Sequence, residues 1–164
     1  MAKFNSLTDP KIIRALYKAS QTGVRIDLVV RGMCCLRPGI PGISDRITVR
    51  SIVGQFLEHS RIYYFENGGA PEVYIGSADL MERNLDRRVE TLMPVRDPDI
   101  LAHLRDVVLQ SYLRDTERAM VLDQTGRYER PQGTADAFNA QQFLLQHCDA
   151  CQRTRSSASS VRGK

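Results

Sequence analysis

The sequence predicts an α/β domain, a mixed central sheet flanked by helices, and three observations support it. Asp9-Pro10 and Asp97-Pro98 each set a capping aspartate before a proline at the first helical position. Each pair opens onto apolar residues at helical spacing. Short runs elsewhere alternate apolar and polar residues as half-buried strands do, and helix followed by strand suggests α/β units.

Taken in order, the first helix is predicted from Pro10 to Thr22, with Ile12, Leu16 and Ala19, joined by Ile13 and Tyr17, on its apolar face. Gly23 ends it. Val24 to Val30 follows as a strand, with Ile26, Leu28 and Val30 alternating. Arg31-Gly32 leaves that strand at its C-terminal end, where α/β units place their ligands. A loop rich in proline and glycine covers residues 36 to 45. Further strands are expected at Ile47 to Val53, His59 to Phe65, Glu72 to Ile75 and Arg88 to Val95, with Asn67-Gly68-Gly69 as a turn. The second helix, from Pro98 to Leu113, carries Ile100, Leu101, Leu104, Val107, Val108 and Tyr112. Met120 to Leu122 and Arg127 to Glu129 form a hairpin around Asp123-Gln124-Thr125-Gly126, and Ala135 to Leu145 is a last short helix. Residues 1–150 are read as one domain, and the serine- and arginine-rich 151–164 as a disordered tail.

The bulk properties narrow the class. The 164 residues suffice for one domain with its own core. No run of 18 apolar residues exists, so no membrane span is expected, and the N-terminus has no apolar signal core. That N-terminus enters a helix pattern at once, so the chain is expected to begin inside a longer protein. Net charge is +4, with arginine prominent among the cations, which suits phosphate oxygens. Cys148-x-x-Cys151 is a single pair where a structural zinc site normally needs two. Reduced thiols in a cytoplasmic protein are therefore expected, with no metal held by this chain.

Chemistry concentrates in two stretches. His59-Ser60-Arg61, then Glu66, then Gly76-Ser77-Ala78-Asp79 resembles a degraded phospholipase D motif, with arginine for lysine, glutamate for aspartate and Asp79 in the place of asparagine. Residues two apart on a strand share a face, so His59 and Arg61 are expected to reach one phosphoryl group. Imidazole can accept a phosphoryl group or carry a proton, and guanidinium neutralises non-bridging oxygens. Glu66 is a candidate to orient a base or to pair with an arginine. The second stretch runs from Val29 to Gly42, where Arg31 leaves an apolar strand into a glycine-rich loop and Arg37 follows. His103 is read as solvated or half-buried on its helix, His147 as exposed, and the run Tyr63, Tyr64 and Phe65 as strand core.

Asn5-Ser6-Leu7, Asp9 to Ile13, the Arg31-to-Gly42 loop, Ser51 to Gly54, Phe56 to Arg61 and Asn84 to Glu90 together resemble the last domain of bacterial polyphosphate kinases, from about Phe4 to about Leu145. The resemblance implies a phospholipase D-like domain that faces a second such domain upstream. It implies reversible transfer of the terminal phosphate of ATP to polyphosphate, with ATP or ADP as nucleotide and Mg2+ in the complete enzyme. The family's second essential histidine falls on His59, and a nucleotide-phosphate arginine on Arg31. Arg37 and Arg61 are added as phosphate ligands on charge and position. The phosphorylated histidine has no counterpart here, so the isolated chain is expected to be inactive. Its expected partners are ATP, polyphosphate and the upstream domains of the same enzyme, a homo-oligomer at full length, with no specific nucleic acid. Two alternatives are a phospholipase D-like phosphodiesterase half and a non-enzymatic polyanion-binding module.

Overall fold

The computed structural model describes residues 1–131 and 137–147. Among the described residues eight strands form one mixed sheet: β1 (Ala2–Phe4), β2 (Ile26–Val30), β3 (Ile47–Ile52), β4 (Arg61–Phe65), β5 (Glu72–Gly76), β6 (Leu92–Val95), β7 (Ala119–Leu122) and β8 (Tyr128–Glu129). Their spatial order is β6-β5-β4-β1-β2-β3-β7-β8. Only β1, β2 and β3 run parallel to one another, and every other pairing is antiparallel.

Helix α1 (Pro10–Gln21) begins as its sequence dictates. The Asp9 carboxylate accepts from the backbone N–H groups of Lys11 and Ile12 at 2.8 and 2.9 Å, and Pro10 occupies the first turn, where no N–H is missed. Its apolar face, Ile12, Ile13, Leu16, Tyr17 and Ala19, packs on one side of the sheet against Phe4, Leu28, Val30, Val49 and Tyr63. Asp97 caps the second long helix in the same way, through Asp99 and Ile100. This helix continues through α3 (Pro98–Ala102), a π-helical stretch (His103–Leu109) and α4 (Gln110–Arg114). With α5 (140–147) it covers the opposite face, burying Val29, Ile52, Ile62, Tyr64 and Val73. Helices thus cover both faces, as a sheet with parallel central strands requires.

Several expectations give way. The N-terminus is not the start of a helix; Ala2–Phe4 is a strand at the centre of the sheet, parallel to β2 and antiparallel to β4. Strand β4 begins at Arg61, so His59 and Ser60 precede it. Residues 88–91 are not strand; a short helix, α2 (Glu82–Arg87), lies before β6. Residues 137–139 are non-helical, and α5 starts at residue 140, where the Asn139 side-chain oxygen accepts from the N–H of Gln142 at 3.1 Å and Asp115 accepts from the N–H of Ala140 at 2.7 Å. Phe65 is exposed, whereas Tyr63 and Tyr64 are buried as expected. The readings for Cys148, Cys151 and 151–164 lie outside the described residues.

Candidate functional site

The sheet brings five chain segments to one edge. Asn5 follows β1, Arg31 follows β2 and Val53 follows β3, all at the C-terminal ends of the parallel strands. Because β4 is antiparallel to β1, its entrance, His59 to Arg61, lies at that same edge. Because β5 is antiparallel to β4, its exit, Gly76 to Asp79, lies there too.

Asp79 ties these segments together. It takes Nη2 of Arg61 at 2.9 Å and Nε at 3.3 Å, a two-point pairing, with the two side chains 10% and 11% exposed. It also accepts from the backbone N–H of Asn5 at 2.6 Å and from the Asn5 amide at 3.4 Å. Burial pushes its acidity toward the neutral form, but the hydrogen bonds from Arg61 and Asn5 outweigh burial and hold the carboxyl below its ordinary value. The Asn5 carbonyl oxygen, turned the other way, accepts from Nε of Arg31 at 3.0 Å. Nη1 of Arg61 reaches His59, at 3.0 Å from Nδ1 and 2.9 Å from the backbone oxygen. A continuous chain of hydrogen bonds therefore links Arg31, Asn5, Asp79, Arg61 and His59.

A second, buried network stands behind His59. Lys3 reaches Glu58 at 3.2 Å and the Ser60 hydroxyl at 2.8 Å, with the two ion-pair side chains 2% and 10% exposed. Glu58 also accepts from the Tyr112 hydroxyl and from the Gln141 amide, both at 2.7 Å. Gln141 in turn holds both backbone groups of Phe56. The turn before His59 is thus fastened to β1, α4 and α5, so the approach to β4 is a fixed strap although it is irregular.

The predicted residues fare differently. Arg31 and His59 are brought to one edge of the sheet. Arg31 borders a cavity of about 310 Å³ together with Ser51, Val53, Arg118, Tyr128 and Arg130. Among the described residues its terminal nitrogens have no hydrogen-bond partner, so they are available to an anion. Arg61 lies at the same edge, but its guanidinium is engaged by Asp79 and His59 and retains a single N–H. Its link to His59 runs through the guanidinium and does not need a shared strand face. Arg37 points to the turn between β7 and β8, where it donates to the carbonyls of Thr125 and Gln124. Glu66 sits at the far end of β4, bonded by the Tyr64 hydroxyl. His103 and His147 stack on each other with centroids 5.7 Å apart.

Sequence reasoning missed Asn5, Lys3, Glu58 and Gln141 as supports of the site. Two signals were present: Glu58 adjoins His59, and a lysine stands among the apolar residues Ala2 and Phe4.

A family model described as polyphosphate kinase C-terminal domain 2 matches residues 1–141. The chain belongs to the polyphosphate kinase family. A polyphosphate kinase of Pseudomonas aeruginosa is 62% identical over 148 residues, covering 89% of this chain and 21% of that protein. Polyphosphate kinase 1 of Chlorobaculum tepidum is 55% identical over 144 residues, covering 87% of this chain and 20% of that protein. The crystal structure of polyphosphate kinase from Porphyromonas gingivalis matches with a TM-score of 0.88 at 41% identity, over 93% of this chain and 24% of that one. The α/β, phospholipase D-like fold expected from the sequence is the fold observed. The chain spans about a fifth of the length of the curated polyphosphate kinases it matches.

Proposed function

We propose that this chain forms one wall of a polyphosphate kinase active site, which moves the terminal phosphate of ATP onto polyphosphate and runs in reverse to ADP. The observation that supports this most is the pair Arg31 and His59, joined at one end of the sheet through Asn5, Asp79 and Arg61. Phosphoryl transfer needs little covalent chemistry from the protein; it needs positioned charge around an in-line displacement. Arg31 supplies that charge to non-bridging oxygens, because its terminal nitrogens stay open while Nε anchors it. His59 contacts the phosphoryl group beside it. Arg61 acts through His59, and Arg37 braces the β7–β8 turn.

Among the described residues no group of three or more acidic, histidine or cysteine side chains converges to hold a metal ion. Asp79 and Glu58 are already engaged by cations. These residues do not fit Mg2+, and no step is routed through it. The upstream domains of the same enzyme are the proposed partners. They supply the nucleophilic histidine and the opposing charge, in a cytoplasmic homo-oligomer. Among the described residues no helix is long and apolar enough to cross a membrane.

The test uses ATP labelled on its terminal phosphate. The isolated chain should bind ATP and polyphosphate weakly, with steep salt dependence, and remain unlabelled. In a full-length relative, the substitution equivalent to His59→Ala should abolish polyphosphate synthesis. Acid-labile labelling of the isolated chain, lost in His59→Ala, would overturn this division of labour, and so would a complete lack of binding to both ligands.

A further inference from the structure

The contact between Arg61 and His59 determines where the histidine carries its proton. A guanidinium has only N–H donors and no acceptor, and it stays charged at any pH a protein survives. Nη1 of Arg61 lies 3.0 Å from Nδ1 of His59 and 2.9 Å from the His59 backbone oxygen, so its two hydrogens serve those two atoms. Nδ1 must therefore be the acceptor. In a neutral imidazole the remaining nitrogen then carries the hydrogen.

The guanidinium cannot readily turn away. Nε and Nη2 are held by the two oxygens of Asp79 at 3.3 and 2.9 Å. Asp79 is itself nearly sealed from solvent and is fixed by Asn5 from the other side. The cation is thus locked in the plane that presents Nη1 to the ring.

We propose that Arg61 is a positioning residue: clamped by Asp79, it fixes His59 as the tautomer protonated on Nε2, so that the ring meets its ligand as a hydrogen-bond donor. This rests on reading His59 as a phosphate-facing group. It also deepens that reading. A donor N–H suits a polyanion's oxygen, whereas a ring with Nδ1 engaged by a cation and Nε2 protonated has no free lone pair with which to attack phosphorus. The arrangement is the converse of a histidine whose Nδ1–H is held by a carboxylate and whose Nε2 is left basic. A substrate oxygen with a free lone pair, above all one carrying negative charge, is favoured at Nε2, and an electrophilic centre is not.

The test reads the ring directly. The chain, labelled with nitrogen-15 in histidine, is examined by NMR without ligand, well above the ordinary imidazole titration range of about 6.5. In the wild type, Nδ1 of His59 should give the resonance of an unprotonated nitrogen and Nε2 that of a protonated one. In Arg61→Leu both resonances should move toward the averaged positions of two exchanging tautomers. Asp79→Asn, which loosens the clamp and leaves both partners in place, should shift them part of the way. His103 and His147 should keep their wild-type signals, as a check on folding. A wild-type His59 with Nδ1 protonated, or one whose signals already sit at the averaged positions, overturns the proposal. The failure of the functional reading is separate, because it shows as a lack of ATP or polyphosphate binding with the tautomer unchanged.

Discussion

Lys3→Met should expose how strongly the centre of the sheet depends on one buried charge pair. Lys3 and Glu58 approach to 3.2 Å with side chains only 2% and 10% exposed. Methionine preserves the apolar stem, so the change removes chiefly the ammonium group. Deleting one partner of a buried pair typically costs about 3–5 kcal/mol, because the other charge stays behind uncompensated. Here Glu58 keeps two neutral donors, the Tyr112 hydroxyl and the Gln141 amide, both at 2.7 Å. Their presence places the expected loss at the low end, about 3 kcal/mol. For a chain of this size that lowers the melting temperature by roughly 6–12 °C. Lys3→Met combined with Glu58→Gln removes both charges, keeps an amide oxygen for the Gln141 donor and an amide N–H that can donate to the Tyr112 oxygen, and should recover at least half of the loss. Urea unfolding followed by far-UV circular dichroism measures the wild type and both variants. A loss below about 1 kcal/mol for Lys3→Met, or no recovery in the double variant, refutes the argument that the penalty comes from a stranded buried carboxylate.

Two further outcomes follow from the same supports. In Gly54→Ala the new methyl would overlap Oε1 of Gln141, a side chain tied to Phe56 and Glu58, so yielding breaks its hydrogen bonds; thermal unfolding should show a loss of about 1–3 kcal/mol, and a change below about 0.5 kcal/mol would show that Gln141 moves freely. The Asp79 carboxyl is held below its ordinary value despite burial, by Arg61 and Asn5. Its contribution is therefore fully present above the unfolded value of about 3.9 and lost as pH falls through the folded value. Asp79→Asn should accordingly flatten the acid limb of a stability–pH curve below about pH 4, and an unchanged limb would remove Asp79 from that account.

The two long helices were legible because their signals are local. Asp9-Pro10 and Asp97-Pro98 satisfy the first turn with atoms two or three residues away, and the apolar stripe repeats within a dozen residues. Strand β1 was not legible: three residues are too few for alternation to show, and Lys3 argues against a central strand. That lysine is tolerated only because Glu58, 55 positions later in the chain, comes to meet it. Glu66 shows the same limit from the other side. Spacing placed it near His59, but the strand between them carries it to the opposite end of the sheet.

Arg31 was chosen from the sequence because it leaves an apolar strand into a glycine-rich loop, His59 because it heads a phospholipase D-like pattern with Arg61 and Asp79, and the resemblance to polyphosphate kinases pointed to both. Residue identity and spacing thus specified the fold class and the groups at the sheet edge. Their relation to one another was decided by tertiary structure. Asp79 holds Arg61, Arg61 holds His59, and Asn5 holds Arg31, through contacts that cross from one strand end to another. Arg37 and Arg61 look alike as cations in the sequence, yet one braces a distant turn and the other is clamped beside the histidine. Charge and periodicity are properties of the chain read along its length. Which N–H faces which lone pair depends on how antiparallel strands return to a common edge, and that is settled only when the sheet has closed around its buried ion pair.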